Sequence, residues 1–419
     1  MIMQIPKSMA KLLSVFLTVL TLVLTPVLGL AEPVFFNTGE ANQAVKEAAG
    51  GFMAGICHPD PDYKDIKKAN IGWIRVDIPF AFDETGKQSA SYRAFKKEMK
   101  GYVKRGIKVL AITPNPAKYL EQGLDIRKKE DVSKIEQVAR FYATDLQGIV
   151  SAFQIANEQG IDRFTKPFNL REAAKFIGLH LKEMYPLRGK ILLSYNLCGD
   201  GVIQLPFLLA GYAHYVDFIG IDLYFGCFEN FVKRIETFPG LMRLVHSVVR
   251  KPMLLAEFGY ISCGEPKTEE EKREVLRQYG FESEEEARAN IDAFIEKMPE
   301  PLREEFHEFY ADETPEEKAK LVFNGEYSNH IFRELAEGTG LTGYPHTPEG
   351  QAKFYKDLIP MLKGMDFCVG AFIYQWRDSD RCYVCHQQDC PVETGWGLLN
   401  GRGEKKPAYY VVQKEFAAQ

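Results

Sequence analysis

Two short stretches of the sequence each end an apolar run on a glutamate, and both place a carboxylate where it could do chemistry. Residues 153–160 read FQIANEQG, so the run stops at Asn157 and Glu158. Residues 251–259 read KPMLLAEFG, and this run stops at Glu257. A carboxylate at the end of a buried strand lies at the rim of the core, where burial and nearby charge shift its pKa. Two such groups form the pair that acid–base and nucleophilic catalysis requires.

Eight apolar segments alternate with helical patterns, and this alternation predicts the elements that hold the two glutamates. The predicted strands are residues 51–57, 73–78, 108–113, 149–156, 190–195, 216–223, 252–256 and 368–374. Near-continuously apolar strands, each followed by a helix, are typical of a (β/α)8 TIM barrel, an α/β fold. An open doubly wound sheet is the alternative. Such a sheet usually has a glycine-rich phosphate turn after its first strand, whereas here His58 and Pro59 follow it.

One acidic segment interrupts this alternation between the seventh strand and its helix. Thr268, Ser283 and Thr314 each precede a glutamate by three residues, and this spacing is that of a helix-starting capping box. We therefore expect residues 262–345 to form a helical insertion subdomain beside the barrel mouth, within a catalytic barrel that spans residues 32–419. The glutamate runs in it are interpreted as solvated helix N-termini, with a lid or a wall of the substrate site as the alternative.

In a TIM barrel the active site lies where the strands end, at their carboxyl side. Glu158 follows the fourth strand and Glu257 ends the seventh, so the two carboxylates are expected to face each other across the central pocket. Glycosidic cleavage needs this arrangement, since one carboxyl protonates the departing oxygen while the other attacks the anomeric carbon. Each residue also has a structural interpretation: Glu257 could pair with Arg75, and Glu158 could cap the next helix. Their joint occurrence favours an active site.

The set of motifs resembles the clan A glycoside hydrolases, the retaining barrels that include families 2, 5 and 39. Those enzymes carry Asn-Glu after strand 4 and Glu after strand 7, where this chain has Asn157-Glu158 and Glu257. Further matching positions are Arg75 on strand 2, Tyr224 on strand 6 and Trp376 on strand 8. Gln159 follows the Asn-Glu pair where proline is frequent, which leaves the individual family undefined.

The resemblance implies a role for each matching residue. Glu158 would be the general acid and then the general base, and Glu257 the nucleophile, kept ionised by Arg75 and Tyr224. The implied or candidate substrate-binding residues are Asn157 at the sugar 2-hydroxyl, Trp376 beneath the sugar, Arg75, Tyr224, His58 and Asn196. The implied activity is hydrolysis of β-linked oligo- or polysaccharides through a covalent glycosyl-enzyme, with no metal and no organic cofactor. A catalytically inactive carbohydrate-binding barrel and a transglycosylase are the alternatives.

The N-terminus has the composition of a secretory signal. Lys7 and Lys11 precede an apolar run over residues 12–24, and small residues lead up to Glu32. We expect cleavage after Ala31, and therefore a secreted or periplasmic protein with no membrane span in its mature chain. A retained membrane anchor is the alternative, although the run is shorter than the ~20 residues that a span requires.

The net charge and the cysteine content limit the kinds of partner and ligand that the chain is expected to have. The net charge is -5 and no basic stripe is present, so a nucleic-acid partner is not expected. Three of the eight cysteines, Cys382, Cys385 and Cys390, lie close together with His386 among them. Three thiols and an imidazole could hold zinc. In an exported chain we favour a disulfide-linked loop over a metal site.

Overall fold

The computed structural model of the protein describes residues 38–228, 232–335 and 340–418. The predicted signal peptide, residues 1–31, lies outside the described residues. Among those that are described, no helix is both long and apolar enough to cross a membrane.

Eight parallel strands close into a barrel, which confirms the predicted (β/α)8 fold. Each strand pairs with the next in sequence, and β8 pairs with β1 to complete the ring. The strands are β1 (Met53–Cys57), β2 (Trp73–Asp77), β3 (Lys108–Ile112), β4 (Ala152–Ile155), β5 (Leu192–Leu197), β6 (Phe218–Leu223), β7 (Met253–Phe258) and β8 (Cys368–Ile373). Because all of them run the same way around the ring, their carboxyl ends meet at one mouth.

The strands are buried on both faces, and this explains their almost unbroken apolar sequences. Every residue of β5, β6, β7 and β8 is buried. Inside the barrel, Met53, Leu110, Leu254 and Phe372 belong to one packed cluster. Gly55 leaves room there for the ring of Phe372, which a Cβ at that position would overlap.

The helices surround this barrel. They are α1 (Thr38–Ala49), α2 (Tyr63–Lys68), α3 (Ala90–Val103), α4 (Pro116–Glu121), α5 (Lys129–Asp145), α6 (Asp162–Thr165), α7 (Leu170–Met184), α8 (Gly201–Leu208), α9 (Phe238–Val249), α10 (Glu269–Gln278), α11 (Glu284–Ala289), α12 (Ile291–Ile295), α13 (Glu300–Tyr310), α14 (Pro315–Asn324), α15 (Glu326–Phe332), α16 (Pro348–Lys363), α17 (Pro391–Thr394) and α18 (Pro407–Ala417). Short 3-10 turns occupy Ala210–Tyr215 and Ile235–Thr237.

Helices α10 to α15 lie between β7 and α16, in the segment whose capping pattern predicts helices. Thr268 and Glu271 form a complete capping box at the start of α10. The segment also reaches the short helix α6 after β4, where Glu305 of α13 forms an ion pair with Arg163 at 2.6 Å. Lys166 donates a hydrogen bond to the Phe309 carbonyl at 3.1 Å in the same region. The helical segment therefore lies against the barrel mouth rather than extending away from it.

Candidate active site

Three carboxylates meet at the barrel mouth, and two of them are the glutamates singled out by the sequence. Glu158 lies just beyond the end of β4, Glu257 lies within β7 and Asp222 lies within β6. One carboxylate oxygen from each of the three residues lies within 4.8 Å of the other two. We call these three side chains, with Arg75, the carboxylate cluster.

Arg75 of β2 is the cation of the carboxylate cluster, and it is almost completely buried. Its Nη1 donates to Oε1 of Glu257, and its Nη2 donates to Oδ1 of Asn157 at 2.6 Å. Its Nε donates to Oε1 of Gln154 at 3.0 Å, and Nη2 lies 3.8 Å from Oδ2 of Asp222. A guanidinium does not lose its proton in a protein, so this position carries a permanent positive charge.

Glu257 receives a hydrogen bond on each of its two oxygens. Arg75 donates to Oε1, and the Tyr224 hydroxyl donates to Oε2. Charge-assisted hydrogen bonds of this kind are strong and directional, so they stabilise the ionised carboxylate and fix its plane. Tyr224 follows β6 directly and Arg75 belongs to β2. The carboxylate of Glu257 on β7 is therefore held by residues from two other parts of the barrel.

Glu158 has weaker donors. Asn157 Nδ2 lies 3.4 Å from its Oε2, and the Cys198 thiol lies 3.3 Å from its Oε1. Burial, and then the negative charge of Glu257, raise the pKa of Glu158 to about 8. Its backbone N–H donates to Oδ1 of Asn196 at 3.0 Å, which holds the residue in a left-handed conformation with φ of 47°. Glu158 is thus positioned as a protonated acid at neutral pH.

Asp222 is the third carboxyl, and it lies deeper than the two glutamates. Asn196 Nδ2 donates to its Oδ2, and the residue is 1% exposed. Burial, reinforced by the charge of Glu257, holds the pKa of Asp222 well above its usual range. Arg75 lies closer to Glu257 than to Asp222, whose Oδ2 is 3.8 Å from Nη2.

The cluster opens into a cavity of about 1500 Å³. Barrel loops form one side of it, and the helices after β7 form another. The lining residues from those helices include Glu304, Glu308, Phe309, Asn324, Ser328 and Asn329. The helical segment therefore contributes a wall of the pocket.

The other predicted site residues divide into two groups. His58 and Asn157 line the cavity with both glutamates, Arg75 and Tyr224. Asn196 is 2% exposed and does not appear among the described residues that line the cavity. It instead holds Glu158 and Asp222 in place through the hydrogen bonds given above.

Trp376 is not brought into the pocket. It is completely buried, its ring packs 6.0 Å from that of Tyr409, and it does not appear among the described lining residues. Tyr374 lines the cavity instead, with its ring edge-on to His58 at 5.4 Å and its hydroxyl donating to Glu393 at 3.1 Å. Tyr374 takes this place because β8 ends at Ile373, which makes Tyr374 the first residue past the strand at the barrel mouth.

Sequence reasoning missed Tyr374, Cys198 and Glu393, all of which line the cavity. Tyr374 could have been found, because it is the last residue of the predicted eighth strand and strand ends face the pocket. Cys198 directly follows β5 and could have been found in the same way, from its position at the end of a strand. Glu393 lies in the short helix α17, beyond the long loop after β8, and the sequence there has no strand periodicity that would indicate the direction of its side chain.

Among the residues that the structure describes, two groups of side chains have the chemistry and spacing of metal ligands. One is the carboxylate set of Glu158, Asp222 and Glu257, which already holds a guanidinium. The other consists of His330, Cys382, Cys385 and Cys390.

No protein-family model matches the chain, and no curated protein matches its sequence. Several solved structures share its architecture. A family 39 glycoside hydrolase from the gut symbiont Bacteroides cellulosilyticus WH2 has a TM-score of 0.53 at 14% identity, covering 87% of this chain and 63% of that one. A glucosidase from Croceicoccus marinus has a TM-score of 0.52 at 10% identity, covering 87% and 67%.

The GH53 catalytic domain of Ignisphaera aggregans has a TM-score of 0.50 at 18% identity, covering 93% of this chain and 98% of that domain. The chain has the fold of these glycoside hydrolases. It spans about half to two thirds of the length of several similar structures. At this level of identity the likeness shows the shared barrel alone.

Proposed function

We propose that the protein is a retaining glycoside hydrolase that cleaves β-glycosidic bonds by double displacement. The observation that carries this proposal is the meeting of Glu158 and Glu257 across the pocket, with oxygens within 4.8 Å. Retaining enzymes hold their two carboxyls about 5–5.5 Å apart, whereas inverting enzymes leave room for a water at about 6.5–9.5 Å. One oxygen of each carboxyl lying within 4.8 Å of the other group is closer to the retaining arrangement than to the inverting one, and this supports retention.

The surroundings of the two glutamates support a division of roles. Glu158 has a pKa raised to about 8, chiefly by burial, so at neutral pH it carries a proton that it can donate to the departing glycosidic oxygen. Glu257 lies between Arg75 and Tyr224, which stabilise its negative charge. Pairs of carboxyl groups with environments this different are typical of an acid and a nucleophile.

In the proposed first step, a carboxylate oxygen of Glu257 attacks the anomeric carbon and the bond to the leaving oxygen breaks. Glu158 gives its proton to that oxygen in the same step. In the second step Glu158, now ionised, removes a proton from a water that attacks the same carbon, and Glu257 is released. Asn157, between Arg75 and Glu158, is the residue we assign to the sugar 2-hydroxyl.

The size of the cavity supports an oligosaccharide as substrate. Its volume of about 1500 Å³ exceeds the roughly 300–1,000 Å³ of ordinary small-molecule pockets. The fold neighbours, which include a glucosidase, support a glycan substrate.

The test is the variant Glu257→Ala with an aryl β-glycoside. Loss of the nucleophile should lower kcat by more than about 10⁴-fold, because it removes the covalent route. Added azide should then restore turnover and yield a glycosyl azide of inverted configuration. Glu304→Gln, in the cavity wall formed by the helices after β7, is the control and should keep most of the activity. Full activity of Glu257→Ala, or a first product of inverted configuration from the unmutated enzyme, would refute the proposal.

A further inference from the structure

Four buried side chains meet outside the carboxylate cluster. His330 belongs to α15, and Cys382, Cys385 and Cys390 belong to the loop between β8 and α17. One ligand atom from each of the four lies within 4.8 Å of all the others. None of the four residues is more than 2% exposed. We call them the thiol–imidazole cluster.

The spacing within the thiol–imidazole cluster is that of a tetrahedral metal site. His330 Nδ1 lies 3.4 Å from Cys390 Sγ and 3.6 Å from Cys382 Sγ. With Zn–S near 2.3 Å and Zn–N near 2.0–2.1 Å, tetrahedral angles place a sulfur and a nitrogen about 3.5 Å apart. A zinc ion therefore fits among these atoms with little movement of the ligands.

The local backbone supports the same geometry. Cys382 and Cys385 have the C-x2-C spacing of zinc sites, and the Cys385 N–H donates to Cys382 Sγ at 3.5 Å. N–H groups that point at a sulfur orient it and favour its thiolate form. Gln387 Nε2 donates to the His330 carbonyl at 3.1 Å, which fixes α15 against the cysteine loop.

We propose that the thiol–imidazole cluster is a structural zinc site with three cysteine ligands and one histidine ligand. Four protein ligands leave no open position, so the site is closed and does not take part in hydrolysis. On binding, the ion displaces the remaining thiol protons to solvent, with no change of oxidation state. A disulfide would use two of the three sulfurs and leave the third buried beside the imidazole, whereas all three are free thiols here.

The histidine is not the one that the sequence suggests. His386 lies among the cysteines in sequence, but it is exposed, and it is His330 that completes the cluster. His330 comes from the helical segment after β7, so the metal would join that segment to the loop after β8. Both parts line the active-site cavity, through Ser328 and Asn329 on α15 and through Tyr383 on the loop. The zinc would therefore fasten two walls of the pocket to each other.

The test is zinc stoichiometry in the full chain, purified with a reductant and measured by native mass spectrometry and elemental analysis. We expect one zinc per chain. His330→Ala and Cys390→Ser should each lower that content at least tenfold. The matched controls His386→Ala and Cys263→Ser, which change an exposed histidine and an exposed cysteine, should keep it. Cobalt in place of zinc should give the visible absorption of a tetrahedral thiolate site.

Measurements on the unmutated chain decide the matter if the variants fold poorly. Adding a strong chelator should make three further thiols reactive and release one equivalent of metal. An unchanged thiol count, or a metal-free chain two hydrogens lighter from a disulfide, would overturn the proposal. Zinc that is lost from Glu257→Gln but kept by Cys390→Ser would place the metal at the carboxylate cluster and would also overturn it.

Discussion

The carboxylate cluster and the thiol–imidazole cluster are both convergent sets of buried acidic groups, and they differ in where their positive charge comes from. The first contains Arg75, which contacts Glu257 and approaches Asp222 at 3.8 Å. In the second, the sulfurs of Cys382 and Cys390 lie 3.6 and 3.4 Å from the imidazole Nδ1 of His330. Burying several anions requires a compensating cation. The chain supplies one to the carboxylates, and we infer that it takes one from solution for the thiolates.

This difference separates a reactive site from a structural one. The guanidinium of Arg75 balances negative charge without covering the carboxylates, so Glu158 and Glu257 remain accessible from the cavity that they line. A metal with four protein ligands has no position left for a substrate. Similar clusters of acidic side chains can thus serve catalysis or stability according to the cation that accompanies them.

Replacing Arg75, the cation of the carboxylate cluster, should have the largest effect of the changes considered and tests the role of its charge most directly. Arg75→Met leaves the carboxylates buried without their partner, and breaking a buried ion pair in this way costs about 3–5 kcal/mol. We expect the free energy of unfolding to fall by that amount in urea titrations, and hydrolysis to be lost together with it.

The matched control is Arg377→Met. Arg377 pairs with Asp60 at 2.6 Å, but both side chains are more than a third exposed. Such a pair contributes about 0–1 kcal/mol. Equal destabilisation by the two substitutions would show that burial of the ion pair is not what matters.

The proton on Glu158 provides the next test. Because its pKa is raised to about 8, the acid form is present below that value and is lost as the pH rises through it. The alkaline limb of kcat/KM should therefore fall near pH 8. Glu158→Gln should remove that limb and lower the rate about 10²–10⁴-fold for poor leaving groups, with a smaller loss for good ones. A loss that is the same for both kinds of leaving group would argue against its role as acid.

The smallest predicted effects come from substituting two aromatic residues of the loop after β8, Tyr374 and Trp376, and comparing activity with stability in each variant. Tyr374→Phe removes a hydroxyl from the cavity that donates to Glu393, so kcat/KM should fall about tenfold while stability stays within about 0.5 kcal/mol. Trp376→Phe should do the opposite, costing about 1–3 kcal/mol in the core with little change in kcat/KM at low temperature. The reverse outcome would place Trp376 at the substrate.

The barrel could be predicted from the sequence because each strand is buried on both faces and therefore reads as an unbroken apolar run. Each predicted strand overlaps the observed strand at the same place in the order, although β1, β5 and β6 begin two residues later than expected and β4 begins three residues later. Arg75, Glu158 and Glu257 are brought together for the same reason, since Arg75 and Glu257 belong to strands and Glu158 lies three residues past the end of β4. Closure of the ring then determines which strand ends face each other.

The details beyond the strand ends could not be predicted. Trp376 lies three residues past β8, and the direction of a side chain in a loop depends on a backbone path that has no sequence period. His330 and Cys382 are separated by 52 residues and belong to different elements. Only the packing of the helical segment against the loop after β8 makes them neighbours, so sequence proximity pointed to His386 instead.

The single guanidinium of Arg75 has a consequence for the whole proposed cycle. With Glu158 protonated, as its raised pKa favours, the charge of Arg75 is opposed in the resting centre by that of Glu257. Once Glu257 is esterified by the sugar, Glu158 has given up its proton, and the same cation is balanced by a different anion. The net charge of the centre is therefore the same before and after the first step, since Glu158 gains the negative charge that Glu257 loses. No counterion has to enter or leave with each turnover.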